Sequence, residues 1–157
     1  MKEVPVVISD LWHNQILLIS LCSWAIAQII KVIMVLVQKK RLAWGFFVSS
    51  GGMPSSHTST VAALATSVAL TAGVGSIYFS IAAVLAVIVM YDAAGVRQSV
   101  GQHSVVLNRI IKELSFKAPS PEREKAFREF IGHTPLQVIM GALLGVAVAL
   151  IWVYLAK

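Results

Sequence analysis

Residues 16–37 read ILLISLCSWAIAQIIKVIMVLV, 22 positions interrupted only by small polar residues, Gln28 and Lys31. About 20 predominantly apolar residues suffice to cross the hydrocarbon core of a bilayer, so this stretch predicts a transmembrane helix. Working outward, Thr58–Val74 is Ala-rich and shorter, Ile77–Ala94 follows a Gly75-Ser76 turn, and Pro135–Ala156 closes the chain. The expected fold is all-α, a polytopic membrane helix bundle of about four transmembrane helices forming a single integral membrane domain over residues 1–157.

The composition agrees with this reading. Hydrophobic residues make up 57% of the 157 and charged residues only 13%, and the mean hydropathy is +0.80, more apolar than a soluble core requires. The single cysteine, Cys22, lies inside the first apolar run, which leaves no disulfide framework and no thiolate metal site. A formal charge of +6 would suit nucleic acid, but in a membrane chain basic residues set orientation and meet anionic lipid. No nucleic-acid partner is expected. Near the N-terminus Lys2 is accompanied by Glu3, Asp10 and His13, a poor charged region for a cleaved signal, so the first helix is expected to be retained.

Three basic residues, Lys39, Lys40 and Arg41, lie between the first two spans, and seven, Arg97, Arg109, Lys112, Lys117, Arg123, Lys125 and Arg128, between the last two. Four spans put both loops on one side. The positive-inside rule then places the loops in the cytoplasm and both termini outside, in a multi-pass protein of the cell membrane. Within the long loop, 97–133, Val105, Val106, Ile110, Ile111 and Leu114 recur at helical spacing beside Asn108, Arg109 and Lys112, which predicts an amphipathic interfacial helix. Ser120-Pro121-Glu122 starts a second short helix over 121–131, whose charges read most simply as a solvated face.

Three polar clusters reach this cytoplasmic level. Gly51-Gly52-Met53-Pro54-Ser55-Ser56-His57-Thr58 is a Gly-rich turn entering a helix, so backbone N–H groups and hydroxyls stand at a positive dipole end that suits phosphate. Gly132-His133-Thr134-Pro135 repeats the arrangement at the last span, with Thr as N-cap and Pro in the first turn. Tyr91-Asp92-Ala93-Ala94-Gly95-Val96-Arg97 ends the third span, and Gly101-Gln102-His103 opens the loop. Each element also has a plainer reading. Ser55, Ser56 and Thr134 serve as helix caps, and His13 and His103 as surface histidines. Asp92, at the hydrocarbon edge, needs a partner such as Arg97 or a histidine. Lys31, two turns inside the first span, either snorkels or binds phosphate. Gly141 and Gly145 form a GxxxG pattern whose default is close helix packing.

Pro54-Ser55-Ser56-His57 resembles the Pro-Ser-Gly-His motif of the type 2 phosphatidic acid phosphatase and vanadium haloperoxidase superfamily. In order, GGMPSSHT, YDAAGVRQSVGQ, VLN and GHTPLQV resemble its divergent branch, the acid phosphatase/vanadium-dependent haloperoxidase-related membrane proteins, over about Gln28 to Gly145. The resemblance implies hydrolysis of a lipid phosphate of the phosphatidate, phosphatidylglycerophosphate or polyprenyl phosphate type through a phosphohistidine. His133 corresponds to the nucleophile, His57 to the acid that protonates the leaving oxygen, and Asp92 joins them as a catalytic candidate. Ser55, Ser56, Arg97, Lys31, Arg41 and Arg128 are the substrate-binding candidates. This chemistry needs no metal or other cofactor, because imidazoles and N–H donors suffice.

The chain departs from the superfamily pattern in several places. Gln137 stands where an acidic residue four after the nucleophile would orient it. Phe127 occupies the third-motif arginine position and Arg128 is one later, Lys31 and Arg41 are ten apart with no proline following, and four spans are counted where six core helices are usual. A non-catalytic protein that binds or transports phosphorylated lipids through the same pocket is therefore the alternative. A third reading has Asp92, His57, His103 or His133 ligating a divalent ion, although the spacing matches no recognised metal motif. A homo-oligomer is compatible with all three.

Overall fold

The computed structural model describes residues 4–39, 52–95, 106 and 134–155. Its helices are α1 (Val4–His13), α2 (Gln15–Lys39), α3 (Ser56–Ala72), α4 (Ile77–Ala94) and α5 (Pro135–Leu155), and no strand occurs among the described residues. The two helices expected in the 97–133 loop lie outside the described residues. Three helices are long and apolar enough to cross a membrane: Gln15–Val37, Ile77–Ala94 and Pro135–Leu155. The expected span Thr58–Val74 takes the form of α3, 17 residues that bring Ser56, Thr58, Ser59, Thr60, Ser67 and Thr71 into the helix. The count of four is therefore not met by length and apolarity alone.

The polarity of α3 follows from its position. It packs against α2, α4 and α5, most extensively against α5, and the hydroxyls of Ser56, Thr58, Ser59 and Ser67 are buried against protein rather than exposed to lipid. Ser67 and Thr71 donate to the carbonyls of Ala63 and Ser67 at 2.7 and 2.8 Å. Ser23 on α2 and Ser59 on α3, both fully buried, approach Oγ to Oγ at 2.6 Å. Inter-helix hydrogen bonds of this kind serve where hydrophobic burial cannot distinguish lipid from protein.

The GxxxG pattern explains why α5 approaches so closely. A Cβ built on Gly141 would stand 2.5 Å from the Ser55 carbonyl oxygen, and one on Gly145 would run into the Ser59 carbonyl and come within 2.9 Å of the Ala62 Cβ. Only hydrogen fits there. One turn further, Ala149 joins Ile19 and Ala63 in the packed core. Gly141, Gly145 and Ala149 thus descend α5 as Ser55, Ser59 and Ala63 descend α3, so the two helices are parallel. Ser23 with Ser59 and Ile19 with Ala63 run the opposite way, so α2 is antiparallel to α3. The start of α3, the start of α5 and the last third of α2 therefore share one end of the bundle.

Helix α1 was not foreseen from the sequence. Asn14 separates it from α2, its Oδ1 accepting from the Leu17 N–H at 3.1 Å while the Asn14 N–H donates to the Leu11 carbonyl at 3.2 Å. Asparagine offers the first turn of α2 a side-chain acceptor, which is an N-cap. At the far turn, Ser76 caps α4 by accepting from the Phe79 N–H at 3.1 Å, and Gly73 takes φ 84°, a region open to glycine.

Candidate functional site

The polar end is built from two helix starts. Ser55 is the N-cap of α3, its Oγ accepting from the Thr58 N–H at 3.4 Å and from the Thr58 hydroxyl at 3.0 Å. Thr134 caps α5, its Oγ1 accepting from the Gln137 N–H at 3.4 Å while Gln137 Oε1 accepts from the Thr134 N–H at 3.1 Å. This reciprocal pair is a capping box, and Thr-Pro-Leu-Gln at 134–137 carried its signature. The Ser55 N–H donates to the Gln137 carbonyl at 3.0 Å and ties the two starts together. Two positive dipole ends consequently open on one region.

Lys31 enters from α2. Its side chain is 3% exposed, and Nζ donates to Ser56 Oγ at 3.1 Å. Gly52, with φ 93°, lies over the aliphatic stem, 3.9 Å separating an ideal Cβ from Lys31 Cγ and Cδ. The Gly-rich turn therefore roofs the lysine, and Pro54 is buried behind it. Snorkelling to water does not describe this residue, because its ammonium ends inside the bundle.

The site candidates separate into groups. Ser55 and Ser56 are 0% and 2% exposed, their hydroxyls engaged with Thr58 and Lys31. His57, between them and Thr58 in sequence, is exposed, and Asp92 in the last turn of α4 is half-buried. His133, Arg97, Arg41, Arg128 and His103 lie outside the described residues, so the spacing of the two histidines does too. Gln137, one turn into α5, turns its side-chain oxygen back onto its own helix start. Among the described residues no group of three His, Cys, Asp or Glu is arranged to hold a metal ion. A cavity of about 610 Å³ lies elsewhere: an open apolar crevice between α2 and α5, lined by Cys22, Ala25, Ile26, Val148, Ile151, Trp152 and Leu155, whose lining suits lipid chains rather than phosphate.

Sequence reading did not anticipate the Ser23–Ser59 contact, the capping role of Gln137 or the roof over Lys31. The first needed the register between α2 and α3, which no local pattern encodes. The second was available from the four-residue capping signature.

The chain is 38% identical over 154 residues to the uncharacterized membrane protein YuiD of Bacillus subtilis (strain 168), covering 92% of this chain and 98% of the relative. No solved structure matches it. The model of the Divergent PAP2 family matches residues 12–148, from the end of α1 to the core turn of α5, and the chain belongs to that family.

Proposed function

We propose that the protein is a membrane-embedded phosphatase that hydrolyses a lipid phosphate at the cytoplasmic face, with α3 crossing the bilayer as a fourth span inside its three apolar neighbours. The observation that carries this is Lys31. A buried ammonium sits at the first turn of α3, beside the first turn of α5. Three positive features gathered in a low-dielectric place repel one another, and a phosphate is the complement that relieves them. The apolar helices support the membrane setting, and membership of the Divergent PAP2 family supports a phosphatase-related role.

In this reading His133 attacks phosphorus, the bond to the leaving oxygen breaks, and His57 delivers a proton to that oxygen. Water then attacks the phosphohistidine, His57 takes its proton, and the N–P bond breaks to release phosphate. Lys31 and the helix-start N–H groups offset charge on the phosphoryl oxygens. Ser56 holds the lysine, Ser55 holds the helix start, and Arg41, Arg97 and Arg128 meet the phosphate from the loops. Ten loop lysines and arginines support a cytoplasmic site and outer termini.

One observation favours a second reading, binding or transport of phosphorylated lipid without turnover. Gln137 stands at the orienting position and is occupied with capping its own helix. Phosphate release from purified protein in lipid, with and without chelator, decides between them. A catalyst of the proposed kind releases phosphate in chelator and loses this in His133→Ala. A binding protein releases none and retains the lipid.

A further inference from the structure

We propose that Asp92 pairs with His57 across the seam between α3 and α4, orienting the imidazole and favouring its protonated form. The pairing rests on the phosphatase reading only for its catalytic consequence. Its structural basis is independent of turnover.

The first argument is level. Helices α3 and α4 form an antiparallel hairpin about the turn at Gly73–Ser76. His57 stands 16 residues before Gly73, and Asp92 16 residues after Ser76. At about 1.5 Å per residue both are roughly 24 Å from the turn. The hairpin itself therefore brings them to one height at the polar end.

The second argument is face. Helix α5 covers Ser55, Thr58, Ser59, Ala62 and Ala63 of α3. Helix α2 reaches Ser56 and Ser59. Val61 and Val68 are also buried, and they lie opposite Ser59 on the helical wheel, where α4 is the remaining neighbour. His57 is one turn before Val61 on that same stripe. On α4 the buried stripe is Ala82, Ala86 and Ala93, and half-buried Asp92 flanks its last member.

The third argument is charge. A general acid must carry its proton, yet His57 stands at the positive start of α3, next in sequence to the Ser56 that receives the Lys31 ammonium. Both features oppose a cationic imidazole. A carboxylate at the same height offsets them. Among the described residues at this end, α2 carries the cations Lys31 and, two turns on, Lys39, α4 supplies the carboxylate Asp92, and α5 supplies only the uncharged Thr134 and Gln137. Asp92 is thus a positioning residue acting through His57, on a different helix from the vacant carboxylate position at Gln137.

Two measurements on the full chain in nanodiscs test this. In a Cys22→Ser background, His57→Cys with Asp92→Cys should be bridged by a short bifunctional thiosulfonate much faster than His57→Cys with Val84→Cys, two turns further along α4. In the chain with native histidines, diethyl pyrocarbonate modification of His57, read by peptide mass spectrometry, should show its half-maximal pH lowered by about one unit in Asp92→Asn and retained in Asp92→Glu. Equal bridging of the two cysteine pairs, or an unmoved midpoint in Asp92→Asn, overturns the pairing. If the midpoint moves while wild type hydrolyses no lipid phosphate, the pair stands and the phosphatase reading fails. In an active enzyme, Asp92→Asn should lower kcat about 10 to 100-fold with KM unchanged and cost nothing further in a His57→Ala background. A full additional loss there would also overturn it.

Discussion

The Ser55 N–H donates to the Gln137 carbonyl oxygen at 3.0 Å, which binds the start of α3 to the first turn of α5 across 82 residues of chain. The bond exists because Gly141 lets the Ser55 backbone approach and Pro54 holds the preceding turn against the bundle. It makes the two helix starts one structural unit.

Gly145→Ala should therefore disturb the site from a distance. Its Cβ would press on the Ser59 carbonyl and stand 2.9 Å from both the Ala62 Cβ and the Ala63 nitrogen, backbone and methyl groups that have little freedom to move. Overpacking of this kind costs about 1 to 3 kcal/mol. Thermal unfolding in detergent should show the loss, whereas Ala142→Leu, half-buried beside it, should be milder. Unchanged stability in Gly145→Ala would mean that the close α3–α5 contact is not formed.

Lys31→Met keeps the aliphatic stem beneath Gly52 and removes the charge. Replacing a buried charge with an apolar group of similar volume is neutral or stabilising for a fold, so the variant should unfold at the same temperature or higher. Its affinity for inorganic phosphate should fall about tenfold or more, as loss of a charge-assisted hydrogen bond implies. Equilibrium dialysis with labelled phosphate measures this. Equal affinity in wild type and Lys31→Met would remove the lysine from the anion site.

Gln137→Glu makes two separable predictions. As a capping-box residue, glutamate should still accept from the Thr134 N–H and place negative charge at a helix N-terminus, adding about 0.3 to 1 kcal/mol of stability. If His133 is a nucleophile, the same substitution should hold or raise turnover by stabilising its imidazolium. Higher stability with abolished phosphate release would separate the cap from the chemistry and count against an orienting role at this position.

Orientation is tested by reporters. A fusion after Lys157 should be extracytoplasmic and one near Ser120 cytoplasmic. At the expected outer end, Trp12, Tyr78 and Tyr154 are 71%, 72% and 81% exposed, and they come from α1, α4 and α5. Tyr154 shares a crevice with Leu70, two residues before the end of α3, and Tyr78 is in the first turn of α4. Aromatic residues at one height mark a membrane interface. A protein retaining only Trp12 among its tryptophans should be quenched by shallow-labelled lipid more than by deep-labelled lipid. The reverse order would put this end of the bundle in the hydrocarbon.

The membrane class and three of the helices were legible from sequence because lipid demands long uninterrupted apolar runs. Ile77–Ala94 was read to the residue, its ends marked by Ser76 and Gly95. The helix starts at Ser55 and Thr134 were legible for a related reason: caps and Pro in the first turn are local signals. The glycine pair at 141 and 145 announced close packing without naming a partner.

What only the tertiary structure decided is which helix each feature meets. Apolar periodicity is weak in this bundle, since lipid and protein neighbours are equally apolar, so no stripe in α4 or α5 reveals its partner. Short-range contacts between small residues and buried hydroxyls set the register instead. They make α3 the enclosed helix, place Ser23 against Ser59 and turn Lys31 inward to Ser56. The sequence by itself determined the polar helix starts at Ser55 and Thr134, because caps are local signals. The packing of Gly141 and Gly145 on α3 decided that two helix starts and one buried cation share one end of the bundle, because a backbone approach that close is available only where no side chain intervenes.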